Sequence, residues 1–488
     1  LIGRDDELGQ LITALDAVQQ GQGQIVTLSG EAGLGKSRLI AELKQTALDW
    51  AAQSPLRWLE GRCLEFRRET GYWPFIDLLH DYLGTFNTEE PERSQCLLNG
   101  LAELVEQGRI SPGRAAELKT YLGNLLSLQF EPGWDDRLKT AGREQIRYET
   151  FTAVRDFLVA LARQQPLVLV FEDLHWSDDL SLDLLMLLTE AVPTTSLLLV
   201  CAYRPEPDHK VLRLNPLAAQ RYPDRLTELR LRDLSERLSL RLVESLLGIE
   251  ALPQPLQTLV VDRAQGNPFF LEEAIRALID AGILSCPAGT WEIRGDARPE
   301  ISSNVQSVIL GRVDRLKPEL KQTLQYAAVM GRLFRPSIVA HTLPAAIDLT
   351  AALWSLEEAA LIYQERVVPE VEYSFKHALT QETVYQTLSR QRRSEIHRRV
   401  AEAIEQQYAD NLRAYYESLA FHYDRTDRID RAIEYIILAG QKSCGAYLND
   451  DALHYFSKAL KRIEAWSAPD PERERHRLEQ RLSALTSL

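Results

Sequence analysis

The stretch Gln24–Ile40, QIVTLSGEAGLGKSRLI, decides the fold. Gln24 to Ser29 is a short apolar run that ends on a glycine, the pattern of a buried strand. After the glycines, Leu39, Ile40, Leu43 and Ala47 recur at helical spacing. Between them lies Gly30-x-x-x-x-Gly35-Lys36-Ser37. Glycines at these positions let backbone N–H groups wrap a chain of phosphates, and the helix start adds a favourable field for the anion. Lys36 then reaches the β- and γ-phosphates, and the Ser37 hydroxyl binds Mg²⁺. Gly30, Glu31, Ala32, Gly33, Leu34, Gly35, Lys36, Ser37 and Arg38 are the expected cofactor-binding residues. The competing reading is a chance glycine loop, which the flanking strand and helix argue against.

Working outward, Leu167 to Phe171 (LVLVF) is a continuous apolar run, as a central parallel strand covered on both faces requires. Glu172 and Asp173 follow it. Carboxylates there hold the hydrated Mg²⁺ (Glu172) and orient or deprotonate the attacking water (Asp173); the alternative is a solvated acidic turn. A second such run, Ser196 to Tyr203, ends on Arg204, placed to touch a γ-phosphate or simply to be solvated. The chain has no N-K-x-D base-recognition sequence, which favours ATP over GTP. Leu56 to Arg62 and the more polar Leu226 to Leu231 complete the strands. Strands alternating with helices predict a doubly wound parallel sheet over residues 1–232, interrupted at about 84–142 by a helical insertion.

Beyond residue 232 strands nearly stop. Ser235 caps a helix that ends at Gly248, and more helix covers about Leu256 to Ala281, so 233–300 reads as a helical lid. Residues 301–405 read as a winged helix: helices at about Asn304–Leu316 and Pro318–Met330, a third near Leu353, and a hairpin between Leu361 and Phe375. Residues 406–488 are helical. Ala432, Tyr435 and Ala439 are echoed by Ala452, Tyr455 and Ala459, which resembles a truncated pair of tetratricopeptide repeats.

The 488 residues are 45% hydrophobic and 26% charged, ordinary for a globular chain. No apolar run approaches the roughly 20 residues of a membrane span. Five scattered cysteines without C-x-x-C spacing predict neither a disulfide framework nor a zinc site, and point to a reducing cytoplasm. A net charge of −14 argues against a general nucleic-acid or anionic-membrane partner. The densest basic run, Arg390, Arg392, Arg393, His397, Arg398 and Arg399, reads either as a DNA-binding helix or, interrupted as it is by Glu395, as a solvated bridge. The start at Leu1 and the helical end suggest a piece of a longer protein.

Taken in order, IGRDDEL (Ile2 to Leu8), GEAGLGKSRL, FEDLHWSD (Phe171 to Asp178), CAYRPE, GNPFFLEEAIRAL (Gly266 to Leu278) and SFKHALTQETVY (Ser374 to Tyr385) resemble the STAND class of signal-transduction P-loop ATPases. The nearest kind is the bacterial ATPase–tetratricopeptide region that accompanies cyclase or transcription-regulator domains. The resemblance implies an α/β P-loop NTPase followed by lid, winged helix and TPR-like tail. It implies that Ile2, Gly3 and Arg4 line the adenine side, that Pro268 packs on the base, and that His377 meets the ADP β-phosphate at rest. It implies a slow Mg²⁺-dependent ATPase, closed with ADP and open with ATP, that regulates an attached or partner effector through its helical tail and oligomerises when open. One departure is Glu172-Asp173 where the family has Asp-Asp, which puts the hydrolysis rate in doubt more than binding. Two other readings stay open: an origin-recognition-like DNA-binding ATPase, and a scaffold that binds ATP without hydrolysing it.

Overall fold

The computed structural model describes residues 2–51, 54–64, 68, 70–84, 90–128, 130–254, 256–258, 266–286, 291–293, 305–344, 346–366, 371–445 and 448–466. The elements run in chain order as α1 (Asp5–Gln19), β1 (Gln24–Ser29), α2 (Lys36–Ala51), β2 (Arg57–Arg62), α3 (Trp73–Leu83), α4 (Glu90–Glu106), α5 (Pro112–Leu125), α6 (Asp136–Thr140) and α7 (Arg143–Gln164). Then come β3 (Leu167–Glu172), α8 (Asp179–Leu188), β4 (Leu197–Tyr203), α9 (Leu214–Arg221), β5 (Leu226–Arg230), α10 (Glu236–Leu247), α11 (Pro268–Asp280), β6 (Leu284–Ser285) and β7 (Glu292–Ile293). The last third holds α12 (Val305–Arg315), α13 (Pro318–Met330), β8 (Leu333–Phe334), α14 (Pro336–Thr342), α15 (Leu349–Glu358), β9 (Ile362–Arg366), β10 (Glu372–Phe375), α16 (Ala378–Thr387), α17 (Arg390–Gln407), α18 (Tyr416–Tyr423), α19 (Ile429–Gly445) and α20 (Asn449–Ala465).

The chain divides into two compact units. The first comprises Leu1–Leu11, Leu28–Leu43 and Leu229–Ile396; the second comprises Ile12–Thr27, Lys44–Glu228 and His397–Leu488.

The second unit contains the sheet, of order β2-β3-β4-β1-β5, apart from the final residues of β1 and β5. Neighbouring strands β2, β3 and β4 are parallel, with Arg57 opposite Leu167 and Leu167 opposite Leu197. Every residue of β4 and all but the last of β3 are buried, which is why their sequences carry no polar alternation. β5 alternates and lies at the edge, as its polarity predicts. Helices α3 to α7 share one apolar core with the sheet, built on Phe75, Phe157 and Phe171 among others. Ser111 caps α5 by accepting from the Arg114 N–H, and Pro112 fills its first turn. In the tail, Ala432, Tyr435, Ala439, Ala452, Tyr455 and Ala459 are all buried; Tyr435 stacks on Tyr423 of α18, and a seam joins α19 to α20. Gly440 is part of that seam: a Cβ there would lie 2.7 Å from the Phe456 ring. Expected helix beyond residue 466 lies outside the described residues.

In the first unit, Ser235 caps α10 by accepting from the Leu238 N–H, and Gly248 ends it in the left-handed conformation. The expected helix from Leu256 to Ala281 is instead broken before α11. Gly266 (φ 80°) turns the chain there, and the Asn267 side chain caps α11 by accepting from the Phe269 and Phe270 N–H groups; residues 259–265 lie outside the described residues. Helices α12, α13 and α15 and the sheet β8-β10-β9 close on a core containing Ile309, Leu324, Leu356 and Phe375. The hairpin β9–β10 is where the sequence places it; β8 and the seven-residue α14 are too short for periodicity to show. Arg312 of α12 is buried and donates to Glu273 of α11 at 2.7 Å, to Asp280 at 2.9 Å and to the Ala359 carbonyl at 2.7 Å. Such a pair is costly to bury and costlier to break, since either partner alone is an uncompensated charge. Among the described residues no helix is long and apolar enough to cross a membrane.

Candidate functional site

The phosphate loop lies in the first unit and its conformation follows from its glycines. Gly33 (φ 83°) and Gly35 (φ 95°) occupy left-handed backbone that other residues rarely adopt. Lys36 donates to the Gly30 carbonyl at 2.6 Å and to the Glu31 carbonyl at 3.0 Å, so its ammonium stays over the loop. Ser37 follows in the first turn of α2. The Arg38 side chain lies exposed on α2 and pairs with Glu42 at 2.7 Å. An Arg and a Glu four residues apart on a helix face are natural partners.

Two other segments of this unit grip the loop from outside. Arg4 is buried; its guanidinium donates to the carbonyls of Leu34 (3.2 Å) and Arg232 (2.6 Å) and to Glu7 (3.0 Å). It braces the loop backbone. Ile2 is half-buried, and Gly3 (φ 68°) sits so close to Leu234 and Leu238 that a Cβ would meet them at 3.0–3.1 Å. The second grip is the start of α11. Asn267 donates from Nδ2 to the Ala32 carbonyl at 3.2 Å, and the Phe269 N–H donates to the Gly33 carbonyl at 3.3 Å. A Cβ on Gly33 would lie 2.8 Å from both Asn267 and Phe269, so this close approach needs glycine. Pro268 stands between them in the first turn of α11.

Phe269 connects the loop to the expected histidine. Its ring centroid lies 4.0 Å from that of His377, the residue that precedes α16. Among the described residues, Nε2 of His377 is buried without a hydrogen-bond partner, and it stands 4.0 Å from Glu272. Burial, together with the Lys376, Arg332 and Arg276 cations, outweighs Glu272 and lowers the His377 pKa to about 3, so the ring is neutral at pH 7. Glu272 also accepts from Lys376 and, at 3.0 Å, from Arg276. Burial works to raise its pKa, but Lys376, His377 and Arg276 together hold it at about 2. The first unit thus brings together Gly3, Arg4, the loop 30–37, Pro268 and His377. Sequence reasoning missed Asn267, Phe269 and Glu272; the first two flank the proline in GNPFF, and nothing in the pattern marked Glu272.

The acidic residues lie in the second unit. Glu172 is the last residue of β3, opposite Arg62, and its carbonyl accepts from the Cys63 N–H at 3.1 Å. Asp173 takes a left-handed conformation (φ 56°), uncommon for a non-glycine residue, and starts the 3₁₀ turn Leu174–Trp176. His175 of that turn is buried, contacts Trp176, and accepts from the Arg204 N–H at 3.5 Å. Arg204, first residue after β4, is therefore tied to the acidic turn through its backbone. Asp178 closes the turn by capping α8, accepting from the Ser181 N–H at 2.9 Å. Glu172, Asp173 and Arg204 thus share one end of the neighbouring strands β3 and β4.

Three arginines of the basic run have partners elsewhere on their own stretch of chain. Arg392 meets Glu395 at 2.7 Å, Arg393 donates to the Gln386 carbonyl at 2.8 Å and lies over the Tyr385 ring, Arg398 meets Glu402 at 2.8 Å, and His397 is buried.

Residues 1–200 match the AAA ATPase domain family. Residues 235–285 match a domain family of unknown function. An uncharacterized protein of Rhizobium meliloti (strain 1021) is 26% identical over 468 residues, which are 94% of this chain and 42% of that protein; the chain spans less than half the length of this relative. Among solved structures, a Signal Transduction ATPase with Numerous Domains from Pyrococcus horikoshii, with a tetratricopeptide repeat sensor, matches at a TM-score of 0.51 and 11% identity, over 100% of this chain and 58% of that one. The Aeropyrum pernix ORC1 protein in complex with DNA is similar at a TM-score of 0.37 and 12% identity, over 79% of this chain and 93% of that one. The fold is a multidomain P-loop NTPase with a helical C-terminal tail, shared with the STAND protein.

Proposed function

We propose that this chain is a nucleotide-dependent signalling switch of the STAND type, hydrolysing ATP slowly with Mg²⁺. The observation that carries the reading is the continuous set of contacts in the first unit: loop carbonyls on Asn267 and Phe269, Phe269 against His377, and a buried His377 Nε2 without a hydrogen-bond partner among the described residues. A buried imidazole nitrogen without a partner carries a desolvation penalty that a diphosphate would relieve. The glycine cradle with Lys36 across it fits the same ligand.

In this reading Lys36 and the loop N–H groups bind the phosphates, and Arg4 and Asn267 hold the loop in shape for them. Pro268 packs on the base, and Ile2 and Gly3 lie on the adenine side. His377 donates to the β-phosphate of ADP, tying the segment after β10 to the lid. Ser37 and Glu172 hold the metal, Asp173 orients water, and Arg204 senses the γ-phosphate. Mg²⁺, when bound, neutralises charge on the transferred phosphoryl group. A ligand shifts a conformational equilibrium only through contacts that differ between the two states, and His377 and Arg204 supply that difference. The tail receives the signal by binding a protein or an attached effector, the open form oligomerises, and the protein works in the cytoplasm.

The test compares hydrodynamic radius and limited-proteolysis pattern with ADP and with a non-hydrolysable ATP analogue. The switch predicts a larger radius and new cleavage sites with the analogue; identical behaviour in the two states would falsify it. Turnover in wild type against Asp173→Ala separates hydrolysis from mere binding.

A further inference from the structure

The Gly71–Tyr72 turn, which opens α3 in the second unit, is held from two sides by carboxylates. Asp451, on helix α20 of the tail, accepts from the Gly71 N–H at 2.7 Å. Asp178, the last residue of the acidic motif FEDLHWSD, accepts from the next N–H along, that of Tyr72. Tyr72 itself is strained, with φ 62° and ψ 13°, while its ring is buried against Phe151. A non-glycine residue keeps such a conformation only where its surroundings over-determine it. Contact with the tail is tight: a Cβ on Gly71 would lie 2.8 Å from Asp451 Oδ2.

Both carboxylates are half-buried, and desolvation, the largest cause for each, raises their pKa values, that of Asp451 to about 7. The groups facing Asp451 are the Gly71 N–H, Asp178, His454 of its own helix and Glu417 of α18, with Glu417 paired to Lys442 of α19. Asp178 is also fixed by Ser181. A carboxylate on a helix 380 residues away in sequence therefore reaches the acidic motif through two consecutive peptide groups.

We propose that Asp451 is a positioning residue for ATP hydrolysis, seating the acidic motif through the Gly71–Tyr72 turn so that turnover requires a docked tail. A partner that draws α20 away from the turn frees the Gly71 N–H, lets Tyr72 leave its strained conformation and unseats Asp178, five residues after Asp173. The proposal rests on the reading of Asp173 as the water-orienting residue, and its test has a limb that does not.

The test compares Asp451→Ala, Asp451→Asn and wild type in the whole chain, by steady-state ATP turnover and by amide hydrogen exchange without nucleotide. Asn keeps a side-chain acceptor for Gly71. Asp451→Ala is expected to lower kcat about tenfold, the equivalent of one charge-assisted hydrogen bond, with KM for ATP within about twofold of wild type. Asp451→Asn is expected to recover most of kcat. Exchange at Gly71, Tyr72 and residues 174–181 should quicken about tenfold in Asp451→Ala while β3 and β4 keep their protection, which shows the variant folded. Unchanged exchange at 174–181 overturns the proposal whatever the turnover. Quickened exchange with unchanged kcat in an active wild type overturns the link to hydrolysis. Quickened exchange in a wild type that does not hydrolyse ATP contradicts the assignment of Asp173 while upholding the contact. Should Asp451→Ala not fold, Gly71→Ala, which pushes on the same carboxylate, replaces it with the same expectations.

Discussion

Replacing Arg312 by methionine tests how α11 is joined to the helices that follow it. Arg312 and Glu273 have side chains only 3% and 2% exposed, and three hydrogen bonds converge on the guanidinium. Methionine retains much of the apolar volume, so little of the effect comes from a cavity. The remainder is Glu273 left buried without its cation, a loss of about 3–5 kcal/mol. The Asp280 contact adds under about 1 kcal/mol, because Asp280 is 43% exposed. Against a typical domain stability of about 5–15 kcal/mol this is a large fraction. The assay is urea unfolding with amide exchange followed in Pro268–Asp280 and Val305–Arg315. The double variant Arg312→Met, Glu273→Leu removes the stranded carboxylate and should regain at least half of the loss. Burial raises the Glu273 pKa. A carboxylate with a raised folded pKa gains stability as pH falls, so the single variant's deficit should shrink toward pH 5. A single variant within about 1 kcal/mol of wild type, or a double variant no more stable than the single, refutes the reasoning.

Gly33→Ala places a methyl 2.8 Å from Asn267 and Phe269 at φ 83°; left-handed strain and overpacking together should weaken the seat of α11 on the loop by about 2–4 kcal/mol, read as lost protection at Phe269 and Phe270 and weaker ADP binding by calorimetry. His80, His377 and His422 are held neutral mainly by burial, with pKa values of about 4, 3 and 3. Their folded pKa values lie below the unfolded 6.5, so each contributes stability that is present above pH 6.5 and lost as pH falls toward 3, by up to about 1.4 kcal/mol per pH unit. Asp451, raised to about 7, acts in the opposite sense, its contribution growing as pH falls from 7 to 3.8. Thermal melting of His80→Phe between pH 7 and 5 should therefore show a shallower decline than wild type; a parallel decline would show that His80 is not buried as a neutral ring. Glu272→Gln removes the charge that offsets Lys376 and Arg276 beside His377, so the variant should bind ADP at least as tightly as wild type by calorimetry; a marked loss of affinity would place Glu272 in the binding machinery.

Much of the fold was legible because local chemistry and burial agreed. The apolar runs at Leu167–Phe171 and Leu197–Tyr203 lie fully inside the sheet, and Ser235 and Gly248 bound their helix through the cap geometry their types favour. The loop glycines were legible because the backbone conformation needs them. What escaped the sequence depends on partners distant in the chain. Asn267 stands beside Pro268 in sequence without a mark of its own, and only the fold shows its amide on Ala32. Arg38 sits beside Ser37 in sequence, but helical spacing turns it toward Glu42. Asp451 looks like any acidic residue at a helix start until Gly71 is found against it.

The central claim is a resting switch latched by ADP through His377. Acid release of nucleotide from freshly purified protein, followed by chromatography, tests it most directly. Near-stoichiometric ADP is expected in wild type and its loss in His377→Ala, with β3 and β4 still protected from exchange. An empty wild-type site that binds ATP and turns it over steadily, or ADP retained equally by His377→Ala, would contradict it.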